Sequence, residues 1–431
     1  MHSSKRWCDV SDVSSLETFD RRESEVRGYI RSFPVVFDSA RGSVLTAADG
    51  REFLDFFAGA GVLNYGHNNP AFTRALIEYL EHDGIIHGLD MATSAKKGFI
   101  EAFEKLVLEP RGFDYKLQFT GPTGANAVEA ALKVARQATG RANVVAFTNA
   151  FHGLSLGGLA ATGNSHYREA AGIALDNVTR LPFDGYLGEG VDTLDLFEKM
   201  LGDPGSGLDL PAAVIVEAVQ GEGGINVASS AWLQRLRRLT ADNGILLILD
   251  EIQSGIGRTG SFFAFEESGI VPDIVTVSKS ISGSGLPMSL VLLRPEVDVW
   301  KPGAHTGTFR GNNLAFVSAR VALEEYWADA AFTDGVKAKS AVLSDALARL
   351  AAAHPELGAV VRGRGLMFGL AIDSDRTLAG RISKEAFTRG LIIETSGAHD
   401  EVLKFLPALT ISEDELARGL QIVSDSLDAV L

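Results

Sequence analysis

Short runs of apolar residues alternate along this chain with longer stretches in which apolar positions recur every three or four residues. Val144-Val145-Ala146-Phe147, Ala213-Val214-Ile215-Val216, Ile245 to Leu249, Ile274 to Val277 and Leu290 to Leu293 are apolar throughout, the pattern of strands covered on both faces. Between such runs, segments like Ala127 to Arg136 carry helical spacing. From about residue 70 to 320 this alternation predicts an α/β domain with a mostly parallel central sheet.

The flanks read differently. From Val35 to Phe57 the pattern predicts short strands with a turn at Ala48-Asp49-Gly50, because Asp-Gly between alternating stretches is a hairpin signal. Beyond about residue 321 come Ala/Leu/Glu-rich helical stretches, then residues 363–371 as one strand, and a last helix beginning near Ser412-Glu413-Asp414-Glu415. Residues 1 to about 20 are polar and rich in Ser and Asp, so they are expected to form a loosely held extension. There is no internal repeat and no low-complexity tract.

Composition narrows the function classes. The 431 residues are 46% hydrophobic and 22% charged, an ordinary globular balance that needs no covalent staples. With 55 acidic and 40 basic residues the net charge is −15, and no dense Lys/Arg run interrupts it, so nucleic acid is not an expected partner. The single cysteine, Cys8, excludes an intrachain disulfide and a Cys-based zinc site, and no metal is expected. The polar start and the absence of any run of about 18 apolar residues predict a cytoplasmic protein without membrane insertion.

Candidate chemistry lies where two of the strand runs stop. Ile245 to Leu249 ends at Asp250-Glu251-Ile252-Gln253, and Ile274 to Val277 ends at Ser278-Lys279-Ser280. Ligands of open α/β sheets sit beyond the carboxyl ends of strands. An acid and an amine there are what pyridoxal phosphate requires, the amine for a Schiff base and the acid to keep the pyridine nitrogen protonated. Thr120-Gly121-Pro122-Thr123-Gly124-Ala125-Asn126 opens a helix and can hold an anion through backbone N–H groups. Asn149-Ala150-Phe151-His152-Gly153 follows another strand, so Phe151 and His152 can lie near a flat ring. Each feature has a plain counterpart: the Gly-rich turn as a simple cap, Phe151 as core, Asp250 as a strand-end carboxylate, Lys279 as a solvated lysine.

Taken in order, Glu217-Ala218-Val219-Gln220-Gly221-Glu222, Asp250 to Gly260, Ser278-Lys279 and Gly307-Thr308-Phe309-Arg310-Gly311-Asn312 resemble the class III (ornithine and GABA type) aminotransferases from about Arg31 to the C-terminus. The resemblance implies the fold-type-I architecture of pyridoxal-phosphate transferases, with helices on both faces of the sheet. A large cofactor domain over residues 70–320 would be joined by a smaller α+β domain made from segments 21–69 and 321–431. It also implies roles. Lys279 would carry the Schiff base, Asp250 would pair with the ring nitrogen, and Gln253 would contact the ring oxygen. Gly124 and Ala125 would bind the phosphate, Phe151 would stack on the ring with His152 near it, and Glu217 would support the site. Thr308 would reach the phosphate of a neighbouring subunit, making a homodimer, or a dimer of dimers, with shared active sites.

Within that family the strings Glu23 to Arg27, Arg31 to Phe37, Asn64 to Pro70, His87 to Met91 and Phe119 to Asn126 resemble the subgroup of ectoine synthesis. This implies L-glutamate/2-oxoglutarate and L-aspartate 4-semialdehyde/L-2,4-diaminobutyrate as substrates. Glu222 stands where the ornithine type has a glutamate that pairs with an arginine and moves aside for the α-carboxylate of glutamate. The arginine's own place is taken by Lys404, which cannot grip a carboxylate as a fork; Arg310 is the other candidate cation. Other ω-aminotransferases, acting on ornithine, GABA or a diamine, would keep the same cofactor residues, as would a glutamate-1-semialdehyde type aminomutase. A non-catalytic relative would be expected to have lost some of them.

Overall fold

The computed structural model describes residues 14–431; Cys8 and residues 1–13 of the expected extension lie outside the described residues. Within the remainder of that extension Glu17–Arg22 is helical and buries none of its side chains.

Three N-terminal strands, β1 (Phe37–Arg41), β2 (Val44–Ala47) and β3 (Glu52–Asp55), form a meander whose second turn falls at residues 48–51. The main unit follows, with β4 (Lys116–Phe119), β5 (Val144–Phe147), β6 (Val178–Leu181) and β7 (Ala213–Val216). A short ribbon of β8 (Val219–Gln220) and β9 (Asn226–Val227) precedes β10 (Leu246–Asp250), β11 (Ile274–Val277) and β12 (Leu290–Leu293). Seven of these strands make one sheet in the order β4-β12-β11-β10-β7-β5-β6. All are parallel except β12, which runs against both of its neighbours. The fully apolar runs exist because both sheet faces are covered. On one side the helix Gly124–Thr139 lays Ala127, Ala130, Ala131 and Val134 on Ile215, Ile248 and Ile274. On the other, Phe119, Phe147, Val216, Leu249 and Val277 meet an aromatic cluster that includes Trp232, Phe262 and Phe316.

A second core joins the two ends of the chain. Leu54 and Phe56 pack with Leu343 and Leu347 of the helix Ala331–Ala353, with Phe368, Leu370, Leu403 and Phe405, and with Leu416 and Val423 of the helix Glu413–Val430. That last helix begins at Ser412, whose hydroxyl accepts from the N–H of Glu415 while the Glu415 carboxylate accepts from the N–H of Ser412, a reciprocal cap. The expected strand over 363–371 is instead a hairpin of β13 (Val360–Arg364) and β14 (Met367–Ala371), turning at Gly365-Leu366. Gly365 has φ +63°, and a Cβ there would lie 2.4 Å from the carbonyl oxygen of Arg258, so the glycine marks the turn. The C-terminal strands are β15 (Leu391–Ile392), which adds to β3, and β16 (Glu394–Ser396) and β17 (Val402–Phe405), which complete the sheet β13-β14-β17-β16.

Arg258 ties these parts together. It is fully buried, and its guanidinium donates to the carbonyls of Leu366 and Pro407 and to Oδ1 of Asn64 at 3.0, 2.5 and 2.5 Å, with no carboxylate in hydrogen-bonding contact. Burial pushes its pKa down to about 9.

Candidate active site

The carboxyl ends of β10 and β11 lie side by side, with Asp250 opposite Thr276. Oδ1 of Asp250 accepts from the Thr276 hydroxyl at 3.0 Å and from the N–H of Ile252 at 3.1 Å, and Oδ2 lies 2.7 Å from Nδ1 of His152. Both Asp250 and His152 are buried. Burial works against a charged imidazole, but the hydrogen bond and charge of Asp250 more than offset it, so the His152 pKa is raised. The carboxylate is therefore fixed in direction by its neighbours before any ligand meets it.

Lys279 follows β11 with φ +52°, a left-handed conformation that costs a residue with a Cβ. Its amine donates to the carbonyl of Ala60 at 2.9 Å, and the same oxygen accepts from Nε2 of Gln253 at 3.1 Å. That carbonyl is presented by three successive left-handed residues, Ala58, Gly59 and Ala60. Burial pushes the Lys279 amine down to about 8 against the opposing pull of Glu222. Nε2 of Gln253 also donates to Glu222, while its buried Oε1 has no partner.

The Gly-rich turn ends in the helix start at Gly124, capped by Thr123, whose hydroxyl accepts from the N–H of Asn126. The N–H groups of Gly124 and Ala125 lie in the open first turn of that helix. Gly153 crosses directly above: a Cβ on it would sit 3.0 Å from the Cβ of Ala125, and its φ is +107°. Only glycine suits this close approach. Phe151, half-buried on the same loop, donates its N–H to Oε1 of Glu217 at 3.0 Å, and its ring meets Tyr167 edge-on. Glu217 also accepts from the N–H of Gly221, and burial pushes its carboxyl up to about 7.

Beyond Lys279 lies a cluster of charges that sequence reasoning read only in part. Lys404 on β17 is fully buried, not solvated. Its ammonium donates to Oε1 of Glu222 at 2.7 Å and lies 3.0 Å from Oε1 of Glu394. Burial disfavours this charge, and the two carboxylates more than offset that, so the Lys404 pKa is raised. Glu222 is pushed up by burial but brought down to about 2 by Lys404, Lys279 and its hydrogen bonds. Glu394, which shares the same ammonium, is pushed up to about 7 by burial. The Tyr29 hydroxyl donates to Oε2 of Glu394 at 3.3 Å. Sequence reading missed both Glu394 and Tyr29; the available signal was an acid directly after the apolar run Leu391-Ile392-Ile393. In the structure it stands opposite Lys404 across the ladder of β16 and β17. Glu222, Glu394, Tyr29 and Phe151 face a cavity of about 810 Å³.

Removal of Lys404 would strand two carboxylates in the interior. Lys404→Ala is expected to destabilise the protein by about 3 kcal/mol, the lower end for breaking a buried ion pair. A pKa raised in the folded state contributes stability below the unfolded value, about 10.4 for lysine, so the loss is present at neutral pH. It should shrink as pH falls through about 7, where Glu394 takes up a proton, and further towards about 2, where Glu222 does. Chemical denaturation at pH 7.5 and 4.5 checks both magnitude and sign.

Thr308 and Arg310 follow Gly307, where a Cβ would lie 3.7 Å from Gly121 of the Gly-rich turn. They form a single turn outside the cavity; Thr308 is exposed, its carbonyl accepts from His87 at 2.7 Å, and Arg310 donates to the carbonyl of His305 at 3.4 Å. Exposed Ile85, Ile86, Met91 and Phe309 cluster around this turn.

The residues present fit pyridoxal phosphate. A helix start with a glycine-only crossing can hold its phosphate, a braced buried carboxylate its ring nitrogen, and an amine with lowered pKa its aldehyde carbon. Among the described residues no group of three or more His, Cys, Asp or Glu side chains could hold a metal ion, and no helix is long and apolar enough to cross a membrane.

Residues 27–427 match the family described as aminotransferase class-III. The chain is 61% identical to the diaminobutyrate-2-oxoglutarate transaminase of Bordetella parapertussis, over 96% of this chain and 95% of that protein. It is 58% identical to the same-named protein of Vibrio cholerae, covering 95% and 98%. Among solved structures it resembles the ornithine aminotransferase of Toxoplasma gondii, with TM-score 0.83 and 28% identity over 96% of this chain and 94% of that one. A second structure of that ornithine aminotransferase is described as having partial occupancy of PLP at its active site.

Proposed function

We infer, from a chain that belongs to the class-III aminotransferases, that this is a pyridoxal-phosphate enzyme transferring the amino group of L-glutamate to L-aspartate 4-semialdehyde, giving L-2,4-diaminobutyrate and 2-oxoglutarate. The substrates are carried by relatives of that name at 51–61% identity over nearly the whole chain. The observation in the site that supports the chemistry is the pairing of Lys279 and Asp250 at neighbouring strand ends.

When bound, pyridoxal phosphate supplies an aldehyde carbon to accept the amino group and a protonated ring to draw electrons from the adjacent C–H bond. The chain's residues set the conditions. Gly124 and Ala125 would hold the phosphate through their N–H groups. Phe151 would cover the ring and limit access of water. Asp250, braced by His152 and Thr276, would keep the proton on the ring nitrogen. Lys279, with its pKa near 8, is neutral in an appreciable fraction of molecules around that pH and would be the amine that holds the cofactor and the group that takes up a proton from the substrate carbon. Glu217, close to His152 and Asp250, steadies this end of the ring's setting. Glu222 occupies Lys404 until a carboxylate of glutamate competes for the same ammonium.

A panel of amino donors and acceptors, scored by product identity, tests the assignment. Glutamate with aspartate 4-semialdehyde is expected to give 2,4-diaminobutyrate. Preference for ornithine or GABA, or isomerisation of glutamate 1-semialdehyde without a donor, would overturn it.

The same reading makes the enzyme a cytoplasmic homodimer, or a dimer of dimers, of ectoine synthesis. The assembly is supported by exposed Thr308 standing beside Ile85, Ile86, Met91 and Phe309, all exposed by more than half. Thr308→Ala should then weaken cofactor binding about 10-fold, as loss of one hydrogen bond to a charged group implies. Mixed with Lys279→Ala it should restore activity through hybrid dimers that contain one intact site. No restoration after verified subunit exchange would rule out shared sites.

A further inference from the structure

The cavity wall at Glu222 and Glu394 holds one more buried acid than transfer from glutamate calls for. Lys404 contributes one positive charge and Glu222 one negative one, and Glu394 adds a second buried acid whose carboxyl burial pushes up to about 7. Glutamate itself brings two carboxylates. Against that substrate, a second buried acid beside Lys404 is unfavourable. Diaminobutyrate differs: with its 4-amino group at the cofactor, its far end carries an α-ammonium next to an α-carboxylate.

The polar atoms on β16 match such an end. Glu394 and Ser396 are two residues apart on the strand and so point to the same side. Both are nine-tenths or more buried, and both line the cavity. Oε1 of Glu394 lies near Lys404 but off the hydrogen-bonding direction, and together with Oγ of Ser396 it is a buried polar atom without a hydrogen-bond partner. Such atoms are costly unless a ligand completes them, at about 1–3 kcal/mol each. Tyr29 donates to the other oxygen of Glu394, fixing the carboxylate's direction. A buried carboxylate that shares its one ammonium with Glu222, and an unpartnered hydroxyl on the same strand face, suit a donor with several hydrogens and a positive charge, which an ammonium group supplies.

We propose that Glu394, with Ser396 beside it and Tyr29 holding it, is the subsite for the α-ammonium of the diamine, and that it makes the enzyme select 2,4-diaminobutyrate over ω-amino acids lacking that group. This rests on the diaminobutyrate assignment and adds a specificity residue to it. Lys404 then serves both substrates: beside Glu394 it neutralises one of the two acids, and it remains available to the substrate carboxylate. Glu394 binds substrate and performs no proton transfer.

GABA is the matched probe, since 4-aminobutyrate is 2,4-diaminobutyrate without its α-amino group. In the holoenzyme, with 2-oxoglutarate as acceptor, Glu394→Gln keeps the shape and removes the charge. It is expected to lower kcat/KM for diaminobutyrate about 30-fold, roughly 2 kcal/mol at 1.36 kcal/mol per decade, mostly through KM, while GABA changes less than about 3-fold. Ser396→Ala, a milder change that leaves the charge cluster intact, should move the same ratio about 5-fold. Equal losses on diaminobutyrate and GABA in both variants would make Glu394 a holder of Lys404 only and overturn the proposal, as would unchanged ratios. If wild-type enzyme fails to favour diaminobutyrate over GABA, the assigned reaction falls as well; if it does favour it and the variants keep that preference, only this subsite is wrong.

Discussion

Lys279→Ala is expected to lower turnover by about 10⁴-fold, roughly 5.4 kcal/mol of barrier at 1.36 kcal/mol per decade. The loss combines two functions of one amine, attachment of the cofactor and transfer of a proton, the second alone worth about 10²–10⁴-fold. Stability should suffer little or improve, because alanine removes a half-buried amine whose charge burial disfavours. The left-handed backbone at this position stays unfavourable for alanine too, so the variant isolates the amine and not the strain. Borohydride reduction of wild-type holoenzyme followed by peptide mapping should place the pyridoxyl group on Lys279. A label on another lysine, or turnover in the variant within 10-fold of wild type, would remove Lys279 from its role.

Asp250→Asn should lower kcat by about 10³-fold, roughly 4 kcal/mol, in the range of losing one preorganised electrostatic contact. Asparagine keeps the size and can still accept from Thr276 and Ile252. It lacks the charge that favours a protonated ring nitrogen, and that favours protonated His152 as well. The variant is therefore expected to bind cofactor and lose turnover, a separation that absorbance of the bound cofactor and single-turnover rates can measure. Near-normal turnover would mean that Asp250 only caps its strand.

Much of this site was legible because strand ends are legible. A run such as Ile274 to Val277 can be buried only between two covered faces, and the first polar residues after it, Ser278 and Lys279, mark its carboxyl end. The direction of β12 was not legible, since four apolar residues look the same whichever way the strand runs. The hairpin at Gly365 was taken for a continuous strand because its close approach is to the backbone of Arg258, more than a hundred residues away in the chain. The same reason hid the carbonyl of Ala60, which receives both Lys279 and Gln253: no side-chain pattern announces a backbone oxygen presented by three left-handed residues. Lys404 and Glu222 could be paired through resemblance to relatives. Glu394 could not, because its meaning comes from a cross-strand partner on β17 and not from its own neighbours in sequence.

Arg258 has a mechanical consequence. Its guanidinium is solvated only by oxygens from residues 64, 366 and 407, so any rotation separating one of those stretches from the others leaves a cation dry in the interior. The loop that follows Asp250, the turn of β13 and β14, and the segment after Lys404 therefore move as one body. Tyr29 and residues 396–400, which line the cavity, make none of these contacts. Hydrogen exchange should accordingly be slow around Arg258 and faster in that part of the cavity wall.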